Sequence, residues 1–229
     1  CIPSVADVDL DGRPDIVMGN RIVDSDGATK YLNAALSDGF VAIGNFDDDP
    51  QAEIVHVDYG QIRLLNHDLS PVWDHSVAIP GGGQGGPPTV GDFDSDGQPE
   101  IGVAGANHYV VVEPNGTVRW KAPTVDGSSG ITGSTIFDFD NDGTTEVVYR
   151  DEQHLWIFDG ETGAVRFQTP IRSGTLLEYP IVADVDGDGQ AEIVVPSDAN
   201  ATLTSGTRKK GLYVFGSTLG DWVRARPIW

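Results

Sequence analysis

At 229 residues, of which 39% are hydrophobic, the chain is long enough to bury a large core as one all-β domain. Its 29 glycines and 14 prolines, with few long apolar patterns of helical period, point to many short strands and turns. A formal charge of -21 without any basic stripe excludes a nucleic-acid partner, and no apolar run approaches the ~20 residues of a spanning helix.

Twenty of the 35 acidic residues fall in five short loops that recur along the chain. The first is Asp7-Val8-Asp9-Leu10-Asp11-Gly12, with Arg13 following and Asp15 three residues past the glycine. The second, Asn45-Phe46-Asp47-Asp48-Asp49-Pro50 with Gln51 and Glu53, departs at two places. The third, fourth and fifth restore the pattern: Asp92, Asp94, Asp96, Gln98 and Glu100; Asp138, Asp140, Asp142, Thr144 and Glu146; Asp184, Asp186, Asp188, Gln190 and Glu192.

Four carboxylates within nine residues repel one another unless a cation sits among them. A hard divalent ion removes that repulsion, and Ca2+ takes six to eight oxygens from a flexible loop. Side chains at positions 1, 3, 5 and 9 and the backbone carbonyl at 7 supply them, with glycine making the turn at 6. The pattern is a shortened relative of the helix-loop-helix calcium loop. Up to five Ca2+ are therefore expected, and five would reduce the net charge from -21 to -11. The second site should be weakest, because Pro50 cannot take the positive φ available to glycine.

First ligands at 7, 45, 92, 138 and 184 are spaced by 38, 47, 46 and 46 residues, a period typical of propeller blades. Each unit reads as a short apolar strand, the acidic loop, a second strand such as Ile193-Val194-Val195, a third running into hairpin chemistry, and a fourth with an aromatic. Those aromatics are Tyr31, Trp73, Trp120, Phe167 and Trp222, read as packing between neighbouring units. The expected fold is an all-β propeller of four-stranded antiparallel blades, a single domain over 1–229 with blades at about 1–34, 35–77, 78–123, 124–170 and 171–229.

The connectors between units and the turns after each second strand lie opposite the acidic loops, and function on such scaffolds resides in loops. The long turn at 197–211 holds the only basic cluster, Arg208, Lys209 and Lys210, and the sequon Asn200-Ala201-Thr202. His56, His108 and His154 fall near the same turn of successive units and read as solvated. Cys1 is the sole cysteine, so no internal disulfide can form, and it reads as the place where the chain happens to begin.

The run Val182-Ala183-Asp184-Val185-Asp186-Gly187-Asp188-Gly189-Gln190-Ala191-Glu192-Ile193-Val194-Val195 resembles the FG-GAP or VCBS-type repeat, the calcium-binding propeller blade of integrin α-subunit heads and many bacterial surface proteins. The resemblance implies a calcium-binding propeller at work outside the cell, in adhesion or carbohydrate recognition. Propellers of that family commonly have seven blades against five here, which favours a portion of a longer chain.

No catalytic set is visible: no HExxH, no Gly-x-Ser-x-Gly and no phosphate loop. A binding module is expected, with a glycan or protein ligand on the loop face opposite the calcium turns. The alternatives are a polysaccharide lyase or hydrolase, for which Asp58, Asp151, Glu152, Glu178 and Asp198 are unpaired candidates, and a structural subunit of a surface filament or multidomain adhesin assembled with further domains or copies.

Overall fold

The computed structural model describes residues 2–198 and 210–226, so Cys1, the sequon Asn200-Ala201-Thr202, Arg208 and Lys209 lie outside the described residues. Those residues form five antiparallel sheets and no helix, each sheet built from consecutive strands. The first comprises β1 (Ser4–Ala6), β2 (Asp15–Met18), β3 (Arg21–Val23) and β4 (Thr29–Leu32). The second comprises β5 (Phe40–Gly44), β6 (Glu53–Asp58), β7 (Gln61–Leu65) and β8 (Val77–Ala78). The third holds β9 (Thr89–Gly91), β10 (Glu100–Ala104), β11 (His108–Val112) and β12 (Val118–Pro123). The fourth holds β13 (Ser134–Phe137), β14 (Glu146–Arg150), β15 (His154–Asp159) and β16 (Val165–Pro170). The fifth has three strands, β17 (Ile181–Ala183), β18 (Glu192–Ser197) and β19 (Gly211–Phe215).

Second strands of the inner sheets are buried on both faces, which is why β6, β10 and β14 read as near-continuous apolar runs instead of alternating ones. Their two faces serve different cores. Val55 and Val57 join Val103 and Val112 between the second and third sheets, whereas Ile54 packs with Val17 and Ile22 between the first and second. Tyr109 and Val111 meet Tyr149 and Phe158 between the third and fourth, and Leu155 and Ile157 meet Ile193 and Val195 between the fourth and fifth. Five sheets thus share four apolar cores, one at each junction.

Consecutive sheets also touch through their first strands, β1 with β5, β5 with β9, β9 with β13 and β13 with β17. Among the described residues, nothing covers the outer faces of the row. Val5, Ile16 and Leu32 are exposed on the first sheet, and Val185, Leu212 and Val214 on the fifth.

Two aromatics depart from the expected fourth strand. The chain turns back early at Leu65 and Pro71, so Trp73 precedes β8 in an irregular stretch, and Trp222 follows β19 where no fourth strand forms among the described residues. Their packing still spans junctions. The Trp73 indole donates to Pro114 O at 2.8 Å, and Trp120 donates to Gly160 O at 2.6 Å across the next junction. Gly163, at φ +71°, lies against that indole so closely that an added Cβ would sit 2.5 Å from it. Trp120→Ala should cost about 3–5 kcal/mol, read as a lower denaturant midpoint; an unchanged midpoint would remove the indole from the junction.

Candidate metal-binding loops

Each acidic loop connects the first and second strands of its sheet, and its last carboxylate opens the second strand: Asp15, Glu53, Glu100, Glu146 and Glu192. All five are buried. Burying a carboxylate is costly unless its oxygens are satisfied, and one oxygen is satisfied in the same way every time. It accepts from the backbone N–H at position 2: Val8 (3.3 Å), Phe46 (2.7 Å), Phe93 (2.7 Å), Phe139 (2.9 Å) and Val185 (2.9 Å). The position-2 side chains Val8, Phe46, Phe93 and Phe139 are buried in turn, so in the first four loops the bond pins the loop to the core beneath it.

The loop backbone is closed by its own acids. At position 1, Asp7, Asp92 and Asp138 accept from the N–H groups at positions 5 and 6, at 2.9–3.2 Å. Asp184 accepts from Gly187 at 2.7 Å and Gly189 at 3.0 Å. At position 5, Asp11, Asp49, Asp96, Asp142 and Asp188 accept from the N–H at position 7, on Arg13, Gln51, Gln98, Thr144 and Gln190, at 2.7–2.9 Å.

Glycine at position 6 takes φ between +88° and +96° in Gly12, Gly97, Gly143 and Gly189. Position 4 is left-handed as well, at Leu10, Ser95, Asn141 and Gly187, a need that the mixed residue types there conceal. The second loop is left-handed at neither position. Pro50 has no N–H to give, and Asn45 instead donates its amide to Asp49 O at 3.0 Å.

In each loop, three carboxylates place an oxygen within 4.8 Å of one another: Asp7, Asp9 and Asp15; Asp47, Asp49 and Glu53; Asp92, Asp94 and Asp96; Asp138, Asp140 and Glu146; Asp184, Asp186 and Glu192. Asp11, Asn45, Glu100, Asp142 and Asp188 fall outside those sets. The free oxygens test whether a cation fits. Asp9 Oδ1, Glu53 Oε1 and Glu100 Oε1 are buried with no hydrogen-bond partner, and Glu146 Oε1 has only the Arg166 guanidinium at 3.0 Å, out of hydrogen-bond alignment. Buried acceptors are ordinarily paired, so the residues present fit a cation of hard-oxygen preference and these loops could hold one.

Burial raises the ion-free carboxyls of Glu100 and Glu146 to about 7, and that of Glu53 upward as well. The folded protein then holds protons that the unfolded chain, near the reference 4.5, has released. Its stability is greatest below that reference value and is lost as pH rises through about 7. In chelator the protein should melt lower at pH 7.5 than at pH 5.5. With a divalent ion in excess the order should reverse, because the ion needs the carboxylates deprotonated.

Away from the acidic loops, the structure corrects one histidine reading and places the other candidates. His56 is not in a turn: it lies inside β6, fully buried, with Nε2 3.1 Å from Ser37 O, and burial lowers its pKa. His108 and His154 open equivalent third strands. Asp151 is consumed by structure, accepting from Val125 N, Gln153 N, His154 N and Trp156 Nε1 at 2.7–2.9 Å. Asp58 binds Arg63 and Ser37, Glu152 accepts from Ser128 N, Glu178 from Leu176 N, and the Asp198 N–H donates to Ser173.

Asp126, which the sequence did not single out, is fully buried and collects Thr175, Ser129, Thr132 N and Tyr149. On this same side a shallow pocket of about 180 Å³ is lined by Asp38, Phe40, Asp58, Tyr59 and Gln84. A larger cleft of about 610 Å³ opens beside the fourth acidic loop, between Phe139, Arg166, Phe167, Leu219 and Trp222.

Residues 138–195 match the sequence family described as FG-GAP-like repeat, a stretch that holds the fourth and fifth acidic loops with their flanking strands. The chain is similar in fold to the V. cholerae biofilm matrix protein Bap1, at 16% identity and a TM-score of 0.81 over 100% of this chain and 65% of that one. It is similar to the exotype rhamnogalacturonan lyase YesX at 14% identity, a TM-score of 0.61 and 98% and 48% coverage. An Agrocybe aegerita lectin that recognises non-reducing terminal N-acetylglucosamine aligns at 14% identity, a TM-score of 0.54 and 98% and 65% coverage. The chain spans less than two thirds of each of these structures. No curated protein matches it in sequence.

Proposed function

We propose that the chain is a calcium-stiffened β-propeller module that works outside the cell and presents the face opposite its acidic loops to a glycan or protein. One observation carries the metal part: a carboxylate at position 9 clamps the loop with one oxygen and, in the second and third loops, holds the other buried and unpaired. Asp7, Asp9, Asp11, Asp15 and the Arg13 carbonyl would hold the first ion, and the corresponding residues of the other four loops the rest. The ions would neutralise the loops and fix the first hairpin of each blade. The exposed faces at Val5 and Ile16 and at Val185 and Val214 are those that ring closure or a further blade would cover.

The ligand part is supported by Tyr59. It occupies the two-residue turn between β6 and β7 at φ +44°, followed by Gly60 at +72°, positions where Asn-Gly is the low-cost choice. Yet Tyr59 is 72% exposed at the rim of the pocket lined by Asp38 and Gln84. A strained, exposed aromatic beside polar groups is a platform for a sugar ring. The names of Bap1 and of the fungal lectin accord with a matrix or glycan-binding role. Two of the five carboxylates that a lyase could use, Asp58 and Asp151, already accept structural hydrogen bonds.

Native mass spectrometry should find four or five Ca2+, removable by chelator with a large fall in melting temperature. Asp186→Ala should remove one ion and lower the melt; no bound metal and no shift would leave the loops as solvated turns. For the ligand face, Tyr59→Asn should hold or raise stability while reducing retention on a glycan array. Undiminished retention would move the site elsewhere.

A further inference from the structure

Three of the fourth strands share an irregularity. In the first sheet Ile22 faces Tyr31 and Val23 faces Thr29, which leaves Lys30 as an extra residue. In the third sheet Val111 faces Trp120 and Val112 faces Val118, leaving Arg119. In the fourth Ile157 faces Phe167 and Phe158 faces Val165, leaving Arg166. A bulge re-aims its extra side chain away from the regular alternation. In all three sheets that residue is basic, and its charge enters the acidic loop of the same sheet.

Lys30 Nζ lies 2.6 Å from Asp9, 3.0 Å from Asp11 and 3.3 Å from Asp15. Arg119 reaches Asp94 at 2.6 Å and shares itself with Glu113 at 2.8 Å. Arg166 reaches Asp140 at 2.7 Å and Glu146 at 3.0 Å, and shares itself with Asp159 at 2.9 Å. The second sheet has no such bulge, since β7 and β8 pair in continuous register at Gln61–Ala78 and Ile62–Val77. The fifth has no fourth strand among the described residues. No basic side chain forms an ion pair with the acids of the second or fifth loop among the described residues.

We propose that Lys30, Arg119 and Arg166 are tethered counter-cations, delivered by the bulges, that hold their loops together when no divalent ion is bound and set those loops to a weaker affinity for it. The proposal rests on the reading of the loops as calcium sites. A divalent ion entering the first loop must displace or share a charge that is already in place, whereas one entering the fifth meets four carboxylates with no ion pair among the described residues. The loops are thereby ordered. The fifth is tightest. The first is weakest among the four that carry all their acids, because Lys30 spends every contact on loop carboxylates while Arg119 and Arg166 divide theirs. Among those four, the tethered loops release their ions first as calcium falls, and keep their shape.

Calcium titration calorimetry on the whole chain, with thermal melts in calcium and in chelator, tests this on wild type, Lys30→Gln and Lys30→Arg. Lys30→Gln should tighten one calcium site by about tenfold or more and lower the melting temperature in chelator, but not in saturating calcium. Lys30→Arg, which keeps the charge, should stay near wild type. The tightened site should disappear when Asp9→Ala is added to Lys30→Gln. Calcium uptake by wild type with no change, or a weakening, in Lys30→Gln overturns the tether and leaves the metal sites standing. Absence of calcium uptake by the wild type overturns the metal reading beneath it.

Discussion

The hydrogen bond from the backbone N–H at position 2 to the carboxylate at position 9 is the constraint on which the other features turn. It joins the two ends of each acidic loop, ties the first four loops to the buried residue beside that N–H, and fixes the start of the second strand, which is the most buried strand in the inner sheets. Because a charged acceptor makes a stronger bond than a neutral one, the same carboxylate serves fold and site together. One oxygen orders the hairpin, and in the second and third loops the other is buried without a partner.

Sheet geometry follows from that anchor. With the first hairpin fixed, strict alternation along the second and third strands sends adjacent residues such as Ile54 and Val55 into different cores. Packing then joins only neighbouring sheets, and the aromatics at the ends of the meanders lock each to the next. The indoles of Trp73 and Trp120 do this with both ring and N–H. Phe167, which has no N–H, is left more exposed beside an open cleft.

The acidic loops and the order of strands were legible because ligand spacing and turn glycines are local in sequence. What escaped depended on contacts between distant residues or on backbone demands without a fixed residue type. Leu10, Ser95 and Asn141 share a left-handed conformation but no side-chain chemistry. Asp126 stands as a lone acid in a Gly/Ser connector, and only the fold brings Thr175 and Tyr149 to it. His56 looked like a turn residue because a polar side chain within Ile54-Val55-His56-Val57 gives no sign that both faces of β6 are covered. The fourth strand of the second sheet was misplaced by its aromatic: Trp73 packs correctly while lying outside any strand.

Cores confined to single junctions make the described residues a nearly one-dimensional assembly, in which each sheet owes its stability to its immediate neighbours. The inner sheets are held from both sides and the outer two from one. Protection of backbone amides against exchange should therefore grade from the ends toward the middle, and opening should spread inward sheet by sheet. A chain arranged this way can lose an end repeat, or dock a new one there, without rebuilding its centre.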